Sequence, residues 1–301
     1  MQNKPTLLVL AAGMGSRYGG NKQIDGFGPN KETILEYSIF DAIRAGFGKV
    51  VLIVREEILQ TAKDLILPKV NGKIEVEFVL QSLQSFVPSE FQNPERVKPY
   101  GTAHAVLCAK DVIHEPFAVI NADDFYGQEA FEVLGKFLST EVRPDLHAMV
   151  GYAIQNVLSE NGTVSRGVCS MNAAKQLIGM VERTSIAREG GKIVSRGEGE
   201  VIEIAEDTPV SMNFWGFHPA VFKDIEQMWE EFLPANKDNL KSEFFIPTVA
   251  NNLIQAGKAA FEILPGGKTW FGVTYTEDKP VVIEALKKMH SSGEYPAKLW
   301  D

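Results

Sequence analysis

Residues 6–23 read TLLVLAAGMGSRYGGNKQ, and this stretch decides the fold. Thr6 to Leu10 is a short apolar run of the kind that makes a strand buried on both faces of a parallel sheet. It opens into a segment with glycines at 13, 15, 19 and 20 and two cations, Arg17 and Lys22. About twenty residues then pass before the next helical pattern, far more than an ordinary strand-to-helix turn needs. Successive backbone N–H groups in a tight glycine loop form a concavity that binds anions. Gly13 and Gly15 let a ligand come close to the backbone. A dinucleotide fingerprint would need glycine at 18, where Tyr18 stands, and a P-loop would need Ser or Thr after its lysine, where Gln23 stands.

Outward from this segment, strand and helix patterns alternate. Apolar spacing predicts a helix over 32–45, a strand over 49–54, a helix over 56–66 ended by Pro68, and a strand over 74–80. Residues 84–100, with Pro88, Pro94 and Pro99, read as a loop. A helix over 102–111 and a buried strand over 117–121 follow. Strands are expected at 146–154, 176–181, 210–217 and 269–275, and helices at 220–232, 244–256 and 279–289. Pro247 is tolerable only in a first helical turn. Residues 188–199, REGGKIVSRGEG, suit a hairpin tip or a mobile loop. The alternation predicts an α/β fold with a parallel sheet and right-handed crossovers. Ligands in such sheets bind beyond the carboxyl ends of the strands, so the loops after Leu10, Leu80 and Asn121 matter most.

Composition narrows the function. The 301 residues carry a formal net charge of −9, which argues against a broad nucleic-acid surface. No apolar run approaches the ~18 residues of a membrane span, and the N-terminus lacks a signal-peptide pattern. A cytoplasmic protein is expected. Cys108 and Cys169 offer no disulfide or zinc pattern and read as small buried apolar residues. The five histidines are scattered, and His104 reads as structural. Trp215 fits core packing as well as a sugar platform.

LAAGMGSR resembles the L-A-(A/G)-G-x-G-(T/S)-R signature of the sugar-1-phosphate nucleotidyltransferases, the nucleotide-sugar pyrophosphorylases. Lys22 in GGNKQ is similar to that family's signature lysine, and Lys31 in PNK to its second. Gln81 stands where uridine- and thymidine-using members carry a base-reading residue. YGTAHA, residues 100–105, resembles the G-T-A-x-A segment that lies on the base. NADD, residues 121–124, resembles the segment whose aspartate holds magnesium. MVER, residues 180–183, and SMNFWGF, residues 211–217, resemble two later strands that line the sugar.

The resemblance implies a Rossmann-like three-layer α/β/α fold with a mixed, mainly parallel sheet of the nucleotidyltransferase, GT-A-like kind. It implies one domain over 1–301, with a nucleotide-binding part at 1–145 and a sugar-binding part plus C-terminal helix at 146–301. It implies transfer of a nucleotidyl group from an NTP, UTP or dTTP by preference, to a sugar 1-phosphate, with Mg²⁺ as cofactor and pyrophosphate released. In such transfers positioning and electrostatics do most of the work.

Arg17, Lys22 and Asp123 are the implied catalytic residues. Leu10, Ala11, Ala12, Gly13, Gly15, Ser16, Gln81, Gly101 and Thr102 are the implied nucleotide contacts. Lys31, Asp124, Glu182, Arg183 and Asn213 are the implied sugar-phosphate contacts. Asp123 is the implied metal ligand, with Glu243 the candidate second one. The family's late aspartate has no counterpart, and Glu243 is the nearest carboxylate to its place. Neither nucleic acid nor membrane is expected as a partner, and a homo-oligomer stays open. The alternatives are cytidylyl or guanylyl transfer to a non-sugar acceptor, and a nucleotide-sugar-sensing protein without catalysis. A glycosyltransferase would share the sheet but has no need of the triphosphate loop.

Overall fold

The computed structural model describes residues 4–12, 26–197, 199–272, 275 and 277–300. In chain order the elements are β1 (Thr6–Leu10), α1 (Ile34–Arg44), β2 (Lys49–Val54), α2 (Glu56–Val70), β3 (Glu75–Leu80), α3 (Thr102–Leu107), β4 (Phe117–Asn121), β5 (Asp124–Phe125) and α4 (Gln128–Thr140). Then come β6 (Leu146–Ala153), β7 (Val164–Met171), β8 (Leu177–Glu189), β9 (Lys192–Ser195), β10 (Ile202–Ile204) and β11 (Pro209–Phe217). The last elements are α5 (Val221–Ala235), α6 (Ile246–Gln255), β12 (Ala260–Pro265), β13 (Phe271–Gly272) and α7 (Asp278–Ser292).

Eleven strands form one mixed sheet with a parallel core. The first four large strands lie parallel in the order β3-β2-β1-β4. Their apolar runs explain this, because Leu7, Leu8, Val9 and the middle of β2 and β4 are fully buried on both faces. β11 runs antiparallel to β4 and then forks, pairing with β6 on one line and β7 on another. β12 lies parallel on β6, and β7 to β10 continue antiparallel to the far edge.

Helices cover both faces. Leu7 and Val9 pack with Leu35 and Ile39 of α1, Ile66 of α2 and Leu134 of α4. Leu8 packs on the other side with Val106 of α3, Ile225 of α5 and Val249 of α6. Each fully buried Leu or Val contributes about 1.5–3 kcal/mol. This is the three-layer α/β/α arrangement.

Several elements differ from the sequence expectation. α2 passes through Pro68 and ends at Val70, because a proline in the last turn forfeits only one helical hydrogen bond. α3 stops at Leu107, and tight turns carry the chain from there to β4. The strand expected at 176–181 extends to Glu189, and Gly190 and Gly191, both at positive φ, turn it into β9. The charged glycine stretch is thus a hairpin tip. The strand expected over 269–275 is confined, among the described residues, to the two of β13, paired with β5. Periodicity did not announce α4, β7 or β12.

Cys108 and Cys169 are buried and unbridged, and burial pushes both thiols up to about 12. Trp215 is fully buried and belongs to the core. Among the described residues no helix is long and apolar enough to cross a membrane.

Candidate active site

The register of the parallel strands brings three loops to one edge. Leu10 is level with Ile53 of β2 and Asn121 of β4, and Val54 is level with Leu80 of β3. The chain therefore leaves β1, β3 and β4 at the same end of the sheet, at Ala11, Gln81 and Ala122. Ala11 donates its N–H to Ile53 O at 2.9 Å, and Ala122 donates to Leu10 O at 3.2 Å. Ala11 and Ala12 are buried. Gly13, Gly15, Ser16, Arg17 and Lys22 lie outside the described residues.

The turn after β4 carries Asp123 and Asp124. Asp124 Oδ2 accepts from Asn121 Nδ2 at 2.9 Å, while the Tyr126 hydroxyl donates to Met212 O at 3.0 Å and accepts from Asn121 N at 3.1 Å. Asn121 Oδ1 accepts in turn from Asn213 Nδ2 at 2.7 Å. Asn213 Oδ1 accepts from the Trp215 indole at 3.0 Å. Asn213 sits at φ 62° in the register shift of β11, between Ser211 and Trp215. Asparagine tolerates that conformation better than most residues. A polar chain thus ties the Asp123 turn to the fork of the sheet. Burial, with Asp124 adding to it, holds the Tyr126 phenol well above its ordinary range. Tyr126 therefore keeps its proton and donates. Asn213, an expected sugar-phosphate contact, joins β11 to β4 through its side chain. The motif marks Asn121 but no local pattern marks its bond to Asn213, which spans 92 residues, and no motif marks Tyr126.

On the β3 side, Gln81 lies beside Gly101, the residue before α3. Gly101 has φ 99°, and a Cβ there would stand 2.6 Å from Phe244 O. Only glycine fits. Phe244 N donates to Tyr100 O at 2.6 Å, and Ala103 N donates to Phe244 O at 2.9 Å. The Thr102 hydroxyl accepts from Ile246 N at 3.1 Å and so helps start α6. Arg96, buried, lies 3.6 Å over the Tyr100 ring and donates to the carbonyls of Lys98, Pro99, Asn239 and Ser242. This fastens loop 84–100 to the 239–244 segment. Glu243 pairs with Lys98 and lies against Gly101.

On the far side, Glu182 is level with Gly167, and Arg183 is level with Arg166. Partial burial raises the Glu182 carboxyl, with Arg166 pulling it down. Arg166, which no sequence motif marked, donates to Val157 O and Ser165 O and lies 5.0 Å over the Trp270 ring. Lys31 is exposed at φ 64°, in a turn where its N–H donates to Gly28 O at 3.0 Å. Among the described residues no three His, Cys, Asp or Glu side chains cluster as a metal cage.

Three solved structures share this architecture. The inositol-1-phosphate CTP transferase of T. maritima matches at TM-score 0.64 and 14% identity, over 96% of this chain and 98% of its own. A Bacillus anthracis protein assigned as a glucose-1-phosphate thymidylyltransferase, solved with sucrose, matches at 0.62 and 13%, over 94% and 95%. A UDP-glucose pyrophosphorylase complexed with UDP-glucose matches at 0.55 and 16%, over 93% and 97%. At these identities the likeness concerns the fold. Among curated protein sequences no significant match is found. The family model described as Nucleotidyl transferase matches residues 7–273, from the first strand to the last. The chain belongs to the nucleotidyl transferase family.

Proposed function

We propose that this protein transfers a nucleotidyl group from UTP or dTTP to a sugar 1-phosphate and releases pyrophosphate. The observation that carries the proposal is the level register of β1, β3 and β4, which sets Ala11, Gln81 and the Asp123 turn along one edge. A triphosphate laid on the loop after β1 would have its base toward Gln81 and Gly101 and its α-phosphate toward Asp123. The sugar-phosphate oxygen attacks the α-phosphorus, and the bond to the pyrophosphate oxygen breaks. That nucleophile is already ionised, so no strong base is required.

Arg17 offers a planar donor fork to the phosphates, and Lys22 a compact charge at the reacting phosphorus. Lys31, Asp124, Glu182, Arg183 and Asn213 are assigned to the acceptor side. Asp123 fits Mg²⁺, a hard cation usually held by one or two carboxylates with substrate phosphates completing the shell. When bound, Mg²⁺ neutralises charge on the triphosphate. For Glu243 to serve as a second carboxylate it would first have to leave Lys98. One domain, 1–301, is proposed to hold both substrates, with 1–145 taking the nucleotide and 146–301 the sugar.

The test is a panel of UTP, dTTP, CTP, GTP and ATP against hexose 1-phosphates and inositol 1-phosphate, with Mg²⁺, reading pyrophosphate. Release with UTP or dTTP and a hexose 1-phosphate is expected. Turnover confined to a non-sugar acceptor would replace the acceptor assignment. Thermal shift with a nucleotide sugar but no turnover in the panel would favour a sensor.

A further inference from the structure

His104 is fully buried on α3, with its ring centroid 5.3 Å from that of Tyr100 and 4.7 Å from that of Trp229. Its Nε2 stands 2.7 Å from Ser85 O. A carbonyl only accepts, so the ring proton is on Nε2. Burial holds the imidazole down at about 4, with nearby Arg96 adding to the effect. The ring is therefore neutral near neutral pH, and Nδ1 carries a lone pair. That lone pair faces Gln81 Nε2 at 3.0 Å, and Gly101 O stands 3.5 Å from the same nitrogen. Both neighbours of this end of the Gln81 amide are acceptors. Turning the amide over would set Oε1 against two lone pairs. As the amide stands, Oε1 receives no hydrogen bond from the described residues.

We propose that His104 is a positioning residue that locks the Gln81 amide, so that only its oxygen faces the nucleotide base and the site selects a pyrimidine protonated at N3, uracil or thymine, over cytosine. This stands on the placement of the base against Gln81 and Gly101 proposed above. Uracil and thymine present N3–H, a donor that matches Oε1. Cytosine presents a bare N3, an acceptor. An unrestrained glutamine amide could rotate to serve either ring, whereas a locked one meets cytosine N3 with like against like. Cytosine can then satisfy Oε1 only through its N4 amino group, with the ring displaced from the position uracil takes. Sites built to match a donor reject an analogue lacking it because a buried polar atom is left unpaired.

The experiment compares kcat/KM for UTP, dTTP and CTP in the full chain and its variants Gln81→Ala, His104→Gln and His104→Asn, with Kd giving the same ratios where turnover is too slow. The wild type should favour UTP or dTTP over CTP by about a hundredfold or more. Gln at 104 keeps a donor for Ser85 but has no acceptor where Nδ1 stood, so the preference should fall by roughly tenfold or more. Asn at 104 places Oδ1 where Nδ1 stood, and the ratio should stay within about threefold of wild type. A merely structural histidine would depress all three nucleotides together and leave both ratios unmoved, which overturns the lock. A wild type that prefers CTP also overturns it. If Gln81→Ala leaves the ratio unchanged, the base placement itself is wrong; if Gln81→Ala collapses the ratio while His104→Gln does not, only the lock fails. Should His104→Gln not fold, nitrogen-15 spectra of the wild-type imidazole decide. A neutral Nε2–H tautomer down to about pH 5 supports the lock, and an Nδ1–H tautomer or an ordinary histidine titration overturns it.

Discussion

At the residue scale, Asn213 shows how a residue proposed for the site can also hold the fold together. It combines a left-handed backbone with two side-chain bonds, to Asn121 and Trp215, within the chain that holds the Asp123 turn. Replacing it with alanine imposes about 1–2 kcal/mol of backbone strain. It also strands the buried Trp215 donor, at about 1–3 kcal/mol. Asn213→Ala should therefore lower Tm by roughly 3–8 °C in thermal unfolding. Asn213→Gly should recover the strain portion, since glycine accepts the positive φ. If the two variants melt together, strain has no part in the effect. Sequence pattern brought attention to this asparagine through the strand it sits on. It could not show that the amide points along the sheet to Asn121, because that bond forms only when β11 docks beside β4.

At the element scale, what was legible followed burial. β1 and β4 coincide with their sequence expectation because both are continuous apolar runs covered on both faces. β7, VSRGVCSM, is covered unevenly and mixes polar with apolar residues, so neither period stands out. Of the site, Gln81, Gly101, Asn121, Asp123 and Asn213 fall within marked motifs, while Tyr126 and Arg166 do not. The least legible element is the segment after α7. Gly293, at φ 84°, ends that helix and turns the chain back onto α1. There Tyr295 donates to Asp41 Oδ2 at 2.7 Å, Asn30 donates to Ala297 O at 2.7 Å and the Trp300 indole donates to Glu36 Oε1 at 2.9 Å. Glu36 also closes the α1 capping box with Thr33 and pairs with Lys69. The contacts join positions some 250 residues apart, beyond the reach of any local pattern. Tyr295 and Leu299 are nearly fully buried. Their burial, less the entropy of ordering the segment, gives about 2–4 kcal/mol. A chain stopped at Ser292 should thus melt roughly 3–6 °C lower. An unchanged melting temperature would mean that the segment contributes nothing to the fold.

At the scale of the whole molecule, a few buried titratable groups set the response to acid. Asp41 sits under Tyr295 and Arg44, and burial outweighs both partners to push its carboxyl up to about 6. A raised carboxyl binds its proton more tightly in the folded state. Its stabilising effect is complete below the unfolded value near 4 and fades as pH rises through about 6. His104 and His147 run the other way, because burial holds both down at about 4. Their effect is complete above about 6.5 and is lost as pH falls through about 4. Between those limits two protons taken up by the unfolded chain oppose one taken up by the folded chain. Acidification from pH 6.5 to 4.5 should therefore lower stability, with a net slope from these groups of about 1.4 kcal/mol per pH unit at most. Asp41→Asn removes the opposing proton, and its slope should exceed that of the wild type by up to about 1.4 kcal/mol per unit. Urea midpoints of the two proteins at several pH values measure the difference, in which the remaining carboxylates cancel. Parallel pH profiles would show that Asp41 is already ionised in the fold, with Arg44 and Tyr295 prevailing over its burial.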